Sequence, residues 1–261
     1  MSFPETVALA GFAGGTIFLG LPVGRLRGLS AQWQAALTTT AGGVILFLIY
    51  DVLSQAVAPV EAALETARAG GPAGTFLGYA AALSVSLAAG LLSVTWLTAR
   101  MAARRHGPTP ISPRQVALGT AIGLGLHNFS EGLAIGQSSA TGATTLALVL
   151  VIGFALHNAT EGFAIAAPLG SGELPTWRFL GAAGVVGGGP TFVGGVVGYT
   201  LVSPVLSIVF LGLAAGALIF VFNEMMSAAR RFSVPMTAAV ALTIGLLAAF
   251  GTDFLLVAAG A

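Results

Sequence analysis

The chain has 261 residues, of which 56% are hydrophobic and only 7% charged, with 37 glycines, no cysteine and a net charge of +1. Soluble domains carry about 25% charged residues, so this composition describes an integral membrane protein, and the near-neutral balance argues against nucleic acid or an acidic partner. Without cysteine there is neither a disulfide nor a thiolate, and any bound metal must rest on nitrogen and oxygen.

Windows of about 20 residues, the length that crosses a bilayer, place apolar segments near 6–24, 34–57, 75–99, 115–137, 144–168, 178–200, 205–228 and 235–258. The first follows Met1 to Glu5, a stretch with an acid and no base, so it reads as a retained helix and not as a signal peptide. The second carries Asp51 near its outer end, and the stretch from Glu61 to Gly74 reads as a charged loop. Arg100 to Arg114 holds three prolines and a solvated histidine, His106. The short link from Ser138 to Thr144 makes the fourth and fifth segments an antiparallel hairpin. Glu224, beside Asn223, lies near the inner end of the seventh, Asp253 belongs to the outer rim, and Glu61, Glu65 and Glu173 read as loop charges. The expectation is one all-α polytopic domain over 1–261, with eight transmembrane helices in a cell membrane, either plasma or bacterial inner.

All ten basic residues are arginine, and loops 1–2, 3–4, 5–6 and 7–8 hold nine of them against Arg68 alone in the others. Positive charge stays inside, which places both termini outside. Trp33, Trp96 and Trp177 fall at ends assigned inside and Tyr50, Tyr79 and Tyr199 near ends assigned outside, an interfacial pattern that supports the same count.

Two stretches, Ile122 to Gly136 and Ile152 to Ala166, agree at nine of fifteen positions, including His127/His157, Asn128/Asn158 and Glu131/Glu161. Ionisable groups inside an apolar span are costly and functional by default, and here the cost is incurred twice with the same residues. On a helix, His127, Asn128 and Glu131 share one face. Each motif lies roughly 18 Å from the connecting turn at about 1.5 Å per residue, so the two meet near the bilayer midplane, between helices 4 and 5. Two imidazoles and two carboxylates neutralise one divalent cation, with Asn128 and Asn158 as auxiliary oxygen donors. The mixed set suits zinc, iron(II), manganese or cadmium better than magnesium or calcium.

His127-Asn-Phe-Ser-Glu-Gly132 and His157-Asn-Ala-Thr-Glu-Gly162, on the fourth and fifth of eight helices, resemble the paired signatures of the ZIP (Zrt/Irt-like) divalent-metal transporters, in particular their short prokaryotic GufA-like branch. The resemblance implies uptake of zinc, iron or manganese into the cytoplasm, with helices 1, 4, 5 and 6 moving as a block against 2, 3, 7 and 8. Three departures stand out. Ser130 and Thr160 replace the usual prolines, so any kink must come from glycine or from hydroxyl back-bonding. Gly187-Gly-Gly-Pro190 puts Gly189 where many members have a glutamate of a second metal site, and the long histidine loop shrinks to His106.

Asp51 and Glu224 are candidates for the two ends of an ion path. Gly184, Gly187, Gly188, Gly194, Gly195 and Gly198 suit close helix packing. The chain lacks lysine and so a Walker motif. It also lacks His-Glu-x-x-His, and its order is the reverse of the Glu-x-x-His of di-iron bundles, which argues against an enzyme. A metal-gated channel and a metal sensor remain as alternatives. The implied partners are the cation, the bilayer and, as an open case, a second copy of the chain; no resident cofactor is expected.

Overall fold

Residues 1–103, 112–171, 174–201 and 203–259 are described by a computed structural model, and they contain helices, turns and no strand. Arg104, Arg105, His106, Gly107 and Glu173 lie outside the described residues. The helices are α1 (Phe3–Gly15), α2 (Ala31–Arg68), α3 (Ala73–Ala103), α4 (Pro113–Ala140), α5 (Thr144–Ala166), α6 (Trp177–Thr200), α7 (Pro204–Arg230) and α8 (Pro235–Ala259). Hydroxyl caps set several of the starts: Ser30, Ser112, Thr176 and Ser203 accept from the backbone N–H three residues on, and Pro113 and Pro204 follow in the first turn. Gly142, at φ +81°, closes α4 and starts the tight turn into α5.

Two elements depart from the expected segments. The first span is not one helix: α1 stops at Gly15 and two 3-10 turns carry the chain through Thr16–Leu19 and Leu21–Arg25. Gly14 and Gly15 weaken the helix there, Pro22 removes a donor, and the Thr16 hydroxyl lies 2.7 Å from the Ala13 carbonyl and 2.6 Å from the Ala155 carbonyl of α5. The second helix does not end near 57. It runs 38 residues to Arg68 through Pro59, so Glu61 and Glu65 are helical and not in a loop, and Asp51 lies well short of the helix end. Ala, Glu, Leu and Arg after Pro59 are strong helix formers, and loss of hydropathy does not end a helix.

Seven helical spans among the described residues are long and apolar enough to cross a membrane, the first being α1 taken with the two 3-10 turns that follow it. The eighth expected span, α4, has the length at 28 residues, but Thr120, His127, Asn128, Ser130, Glu131 and Gln137 interrupt its apolar run. It is packed among α1, α5, α6 and α7, so these groups face protein.

Met1 meets Thr144 and Tyr199, and Phe3 stacks edge-on to Tyr199 at 5.4 Å, which fixes one end of the bundle. At the other end Arg25 donates to the Pro175 carbonyl and lies over the Trp177 ring, and Gln32 reaches Thr237. The two ends are called below the tyrosine end and the arginine end.

Glycines divide the bundle into two sets of helices. A Cβ at Gly132 or Gly194 would collide with the backbone across the α4–α6 contact, one at Gly14 or Gly188 with that of α1–α6, and one at Gly20 or Gly162 with that between the 3-10 turns and α5. In the same way Gly43 and Gly245 join α2 to α8, and Gly90 and Gly216 join α3 to α7. Backbone therefore touches backbone inside the sets α1/α4/α5/α6 and α2/α3/α7/α8. Across the boundary the contacts are of another kind. Gly123 and Gly119 of α4 face α7 no closer than 3.4 Å and 3.8 Å, ordinary van der Waals distances.

Candidate metal centre

The repeated motifs face each other across the α4–α5 hairpin. Both helices continue unbroken through them; Thr160 back-bonds to the His157 carbonyl at 2.7 Å, whereas the buried Ser130 hydroxyl has no hydrogen-bond partner. Every one of the six expected ligands is buried, at 5% relative exposure or less.

Glu161 is the hub. Its Oε1 lies 3.9 Å from His127 Nε2 and 3.8 Å from His157 Nε2, while Glu131 Oε1 lies 3.4 Å from His127 Nε2. Ligand atoms of His127, His157 and Glu161 fall within 4.8 Å of one another; Glu131 stands one step outside this triad.

The two asparagines cross. Asn128 of α4 donates to Glu161 Oε2 of α5 at 2.7 Å, and Asn158 of α5 donates to Glu131 Oε2 of α4 at 3.4 Å. Each amide nitrogen also donates to a flanking backbone, Asn128 to the Gly187 carbonyl of α6 at 3.0 Å and Asn158 to the Ala13 carbonyl of α1 at 3.1 Å. All four partners are acceptors only, which fixes the amide orientation and turns each Oδ1 the other way. The Gly187 and Ala13 carbonyls were not legible beforehand, because backbone groups of distant helices leave no side-chain signature.

Six buried atoms of metal-binding type among the described residues have no hydrogen-bond partner: His127 Nδ1 and Nε2, His157 Nε2, Glu161 Oε1, Asn128 Oδ1 and Asn158 Oδ1. Buried polar atoms are nearly always paired, and these six exceptions all belong to the His, Asn and Glu residues of the repeated motifs; the hydroxyls of Ser130, Ser139 and Thr191 are the others among the described residues. Two imidazole nitrogens, a carboxylate oxygen and two amide carbonyls match the donor set of a borderline transition-metal cation.

The remaining candidates divide. Asp51, half-buried on α2, accepts from Gln55 at 2.8 Å and is close enough to His127, Glu131 and Asp253 for its charge to be felt there. It belongs to the surroundings of the site. Glu224 is half-buried near the arginine end of α7 and shares no ion pair or hydrogen bond with the cluster among the described residues. Phe47 was not singled out in the sequence, where it is one phenylalanine among 16. Its ring lies 6.2 Å from that of His157 and 4.8 Å from that of Phe250.

Gly189 does not stand at the site. Val185 is the only neighbour a Cβ there would meet within 4 Å. Val185, Phe192 and Val193, on the same side of α6, are exposed at 62%, 46% and 49%. The face of α6 that meets the motifs is instead that of Gly187, Gly188, Thr191 and Gly194. Gly189 therefore does not mark the place of a lost carboxylate ligand.

Compared with known proteins, the chain matches no family model and no curated protein. The geometry and the motif pair carry the functional argument alone.

Proposed function

We propose that the chain is a multi-pass carrier of a divalent transition-metal cation, zinc before iron, manganese or cadmium, and that it belongs with the ZIP transporters its doubled motif resembles. One observation carries this reading: the buried, unpartnered cluster of His127 Nε2, His157 Nε2 and Glu161 Oε1, built from the repeated motifs. Unpaired buried donors without a ligand are costly, and a transported cation supplies the missing partner.

The two glycine-joined sets support alternating access. Within a set, backbone contact resists sliding; across the boundary, side chains touch at ordinary distances and can exchange neighbours. A cavity of about 290 Å³ opens at this boundary at the arginine end, lined by Thr38, Val116, Pro168, Ala228 and Arg231 among others. Its position suits release of the ion on that side. The arginine bias makes the arginine end cytoplasmic, both termini external and the transport inward, across a plasma or bacterial inner membrane. The chain acts as a carrier without a resident cofactor and not as an enzyme, and the reading leaves room for a homodimer.

Uptake into proteoliposomes tests this. Saturable zinc entry, competed by iron(II), manganese and cadmium and lost in a double His127→Ala, His157→Ala variant, is the expected result. Non-saturable flux would point to a channel, and binding without flux to a sensor.

A further inference from the structure

A second cavity, of about 480 Å³, lies away from the metal cluster, between the arginine ends of α2, α7 and α8. Met226, Ala238, Ala239 and Leu242 give it an apolar wall. Thr39 adds no free polarity, since its hydroxyl is spent on the Ala35 carbonyl at 2.8 Å. The polar residues lie together at one rim: Arg230, the last residue of α7, and Ser233, both exposed. Ser233 has φ +54°, the one left-handed residue other than glycine among the described residues, and it lies in the turn that joins α7 to α8.

We propose that this cleft holds one anionic phospholipid, its acyl chain along the α2–α8 wall and its phosphate on Arg230 and the Ser233 hydroxyl. The occupant follows from the surroundings and the charge. Met236, Val240 and Ile244 of the same helix are exposed at 75%, 53% and 57%, so α8 presents an apolar surface that, in a spanning helix, faces lipid chains. Acyl chains are thus the apolar species always at hand. A basic group at the mouth of a pocket between transmembrane helices selects an anionic headgroup. The site is independent of the metal reading, since none of its residues belongs to the cation cluster. By filling the gap among α2, α7 and α8, the lipid stiffens the set that does not carry the cluster.

The test is native mass spectrometry of the full chain, purified from micelles containing equal phosphatidylglycerol and phosphatidylcholine of matched chains. The unmodified protein should retain one lipid, with phosphatidylglycerol preferred about fivefold, the factor that one interfacial arginine supplies. Arg230→Gln should keep the lipid and lose the preference. Ala239→Phe, which fills the cleft, should lose the lipid, and Ala238→Leu serves in its place if that variant does not melt cooperatively. Equal retention of both lipids by the unmodified protein, or an unchanged lipid complement in a folded cleft-filling variant, overturns the proposal.

Discussion

Asn128 Nδ2 stands 2.7 Å from Glu161 Oε2, so a side chain of α4 holds the carboxylate at the centre of the cluster on α5. The reciprocal contact, Asn158 to Glu131, is longer at 3.4 Å. Groups that orient a metal ligand typically contribute 10–100-fold to affinity. Asn128→Ala should therefore weaken zinc binding by about 10–100-fold, and Asn158→Ala by less. Isothermal titration of both variants checks the order; a larger loss in Asn158→Ala contradicts the geometry.

The two glutamates should also differ. Glu161 lies within 4 Å of both imidazoles and Glu131 of one. Removing one partner of a buried charged cluster costs about 3–5 kcal/mol. Glu161→Gln should abolish measurable zinc uptake, whereas Glu131→Gln should leave a reduced but detectable rate. Equal losses in the vesicle assay would place Glu131 inside the first set of ligands.

Substitution of single glycines separates the contacts within a set from those between sets. A Cβ at Gly132 would collide with the Thr191 carbonyl, while one at Gly123 meets Ala217 and Leu218 at 3.4 Å. Gly132→Ala should lower thermal stability by about 1–3 kcal/mol or more, the usual cost of overpacking. Gly123→Ala should fold normally and slow transport, because its methyl presses on the boundary along which the proposed carrier would slide. A melting curve with the uptake rate for each variant decides the matter.

Gly189→Glu should not add an ion. The position faces away from the cluster, and a carboxylate toward lipid costs roughly 2.5–3.5 kcal/mol at the bilayer centre. Metal stoichiometry by calorimetry should stay unchanged while yield falls. A new second site of comparable affinity would show that α6 rotates to bring residue 189 inward.

Orientation is accessible because the chain has no native cysteine. Ala69→Cys, exposed beyond the end of α2, should react with an impermeant maleimide on intact cells, and Ala31→Cys, exposed at its start, only after lysis. Reaction of both from one side would overturn the orientation.

The site was legible in the sequence to the extent that its cost was visible there. Histidine and glutamate in an apolar run announce themselves, and a repeat of nine identities multiplies that signal. Other features carry no such mark. The break of α1 at Gly15 depends on a hydroxyl contact with Ala155, 139 positions away in sequence. The extension of α2 to Arg68 escaped notice because hydropathy reports where lipid ends and not where hydrogen-bonded backbone ends. Gly189 was placed by alignment with a family pattern, whereas its facing is decided by the buried glycine stripe of α6, which the sequence showed without its direction.

The extension of α2 has an electrostatic consequence. Glu61 and Glu65 project at the tyrosine end, where Glu5 and the lone Arg68 also lie, while Arg25, Arg27, Arg114, Arg178, Arg230 and Arg231 lie at the opposite end. The bundle thus carries a charge dipole from one end to the other. An inside-negative membrane potential acts on that dipole at up to about 2.3 kcal/mol per charge per 100 mV, and the energy favours arginines on the negative side. In the orientation proposed above, the acidic pole faces the solution from which cations would arrive and raises their local concentration there.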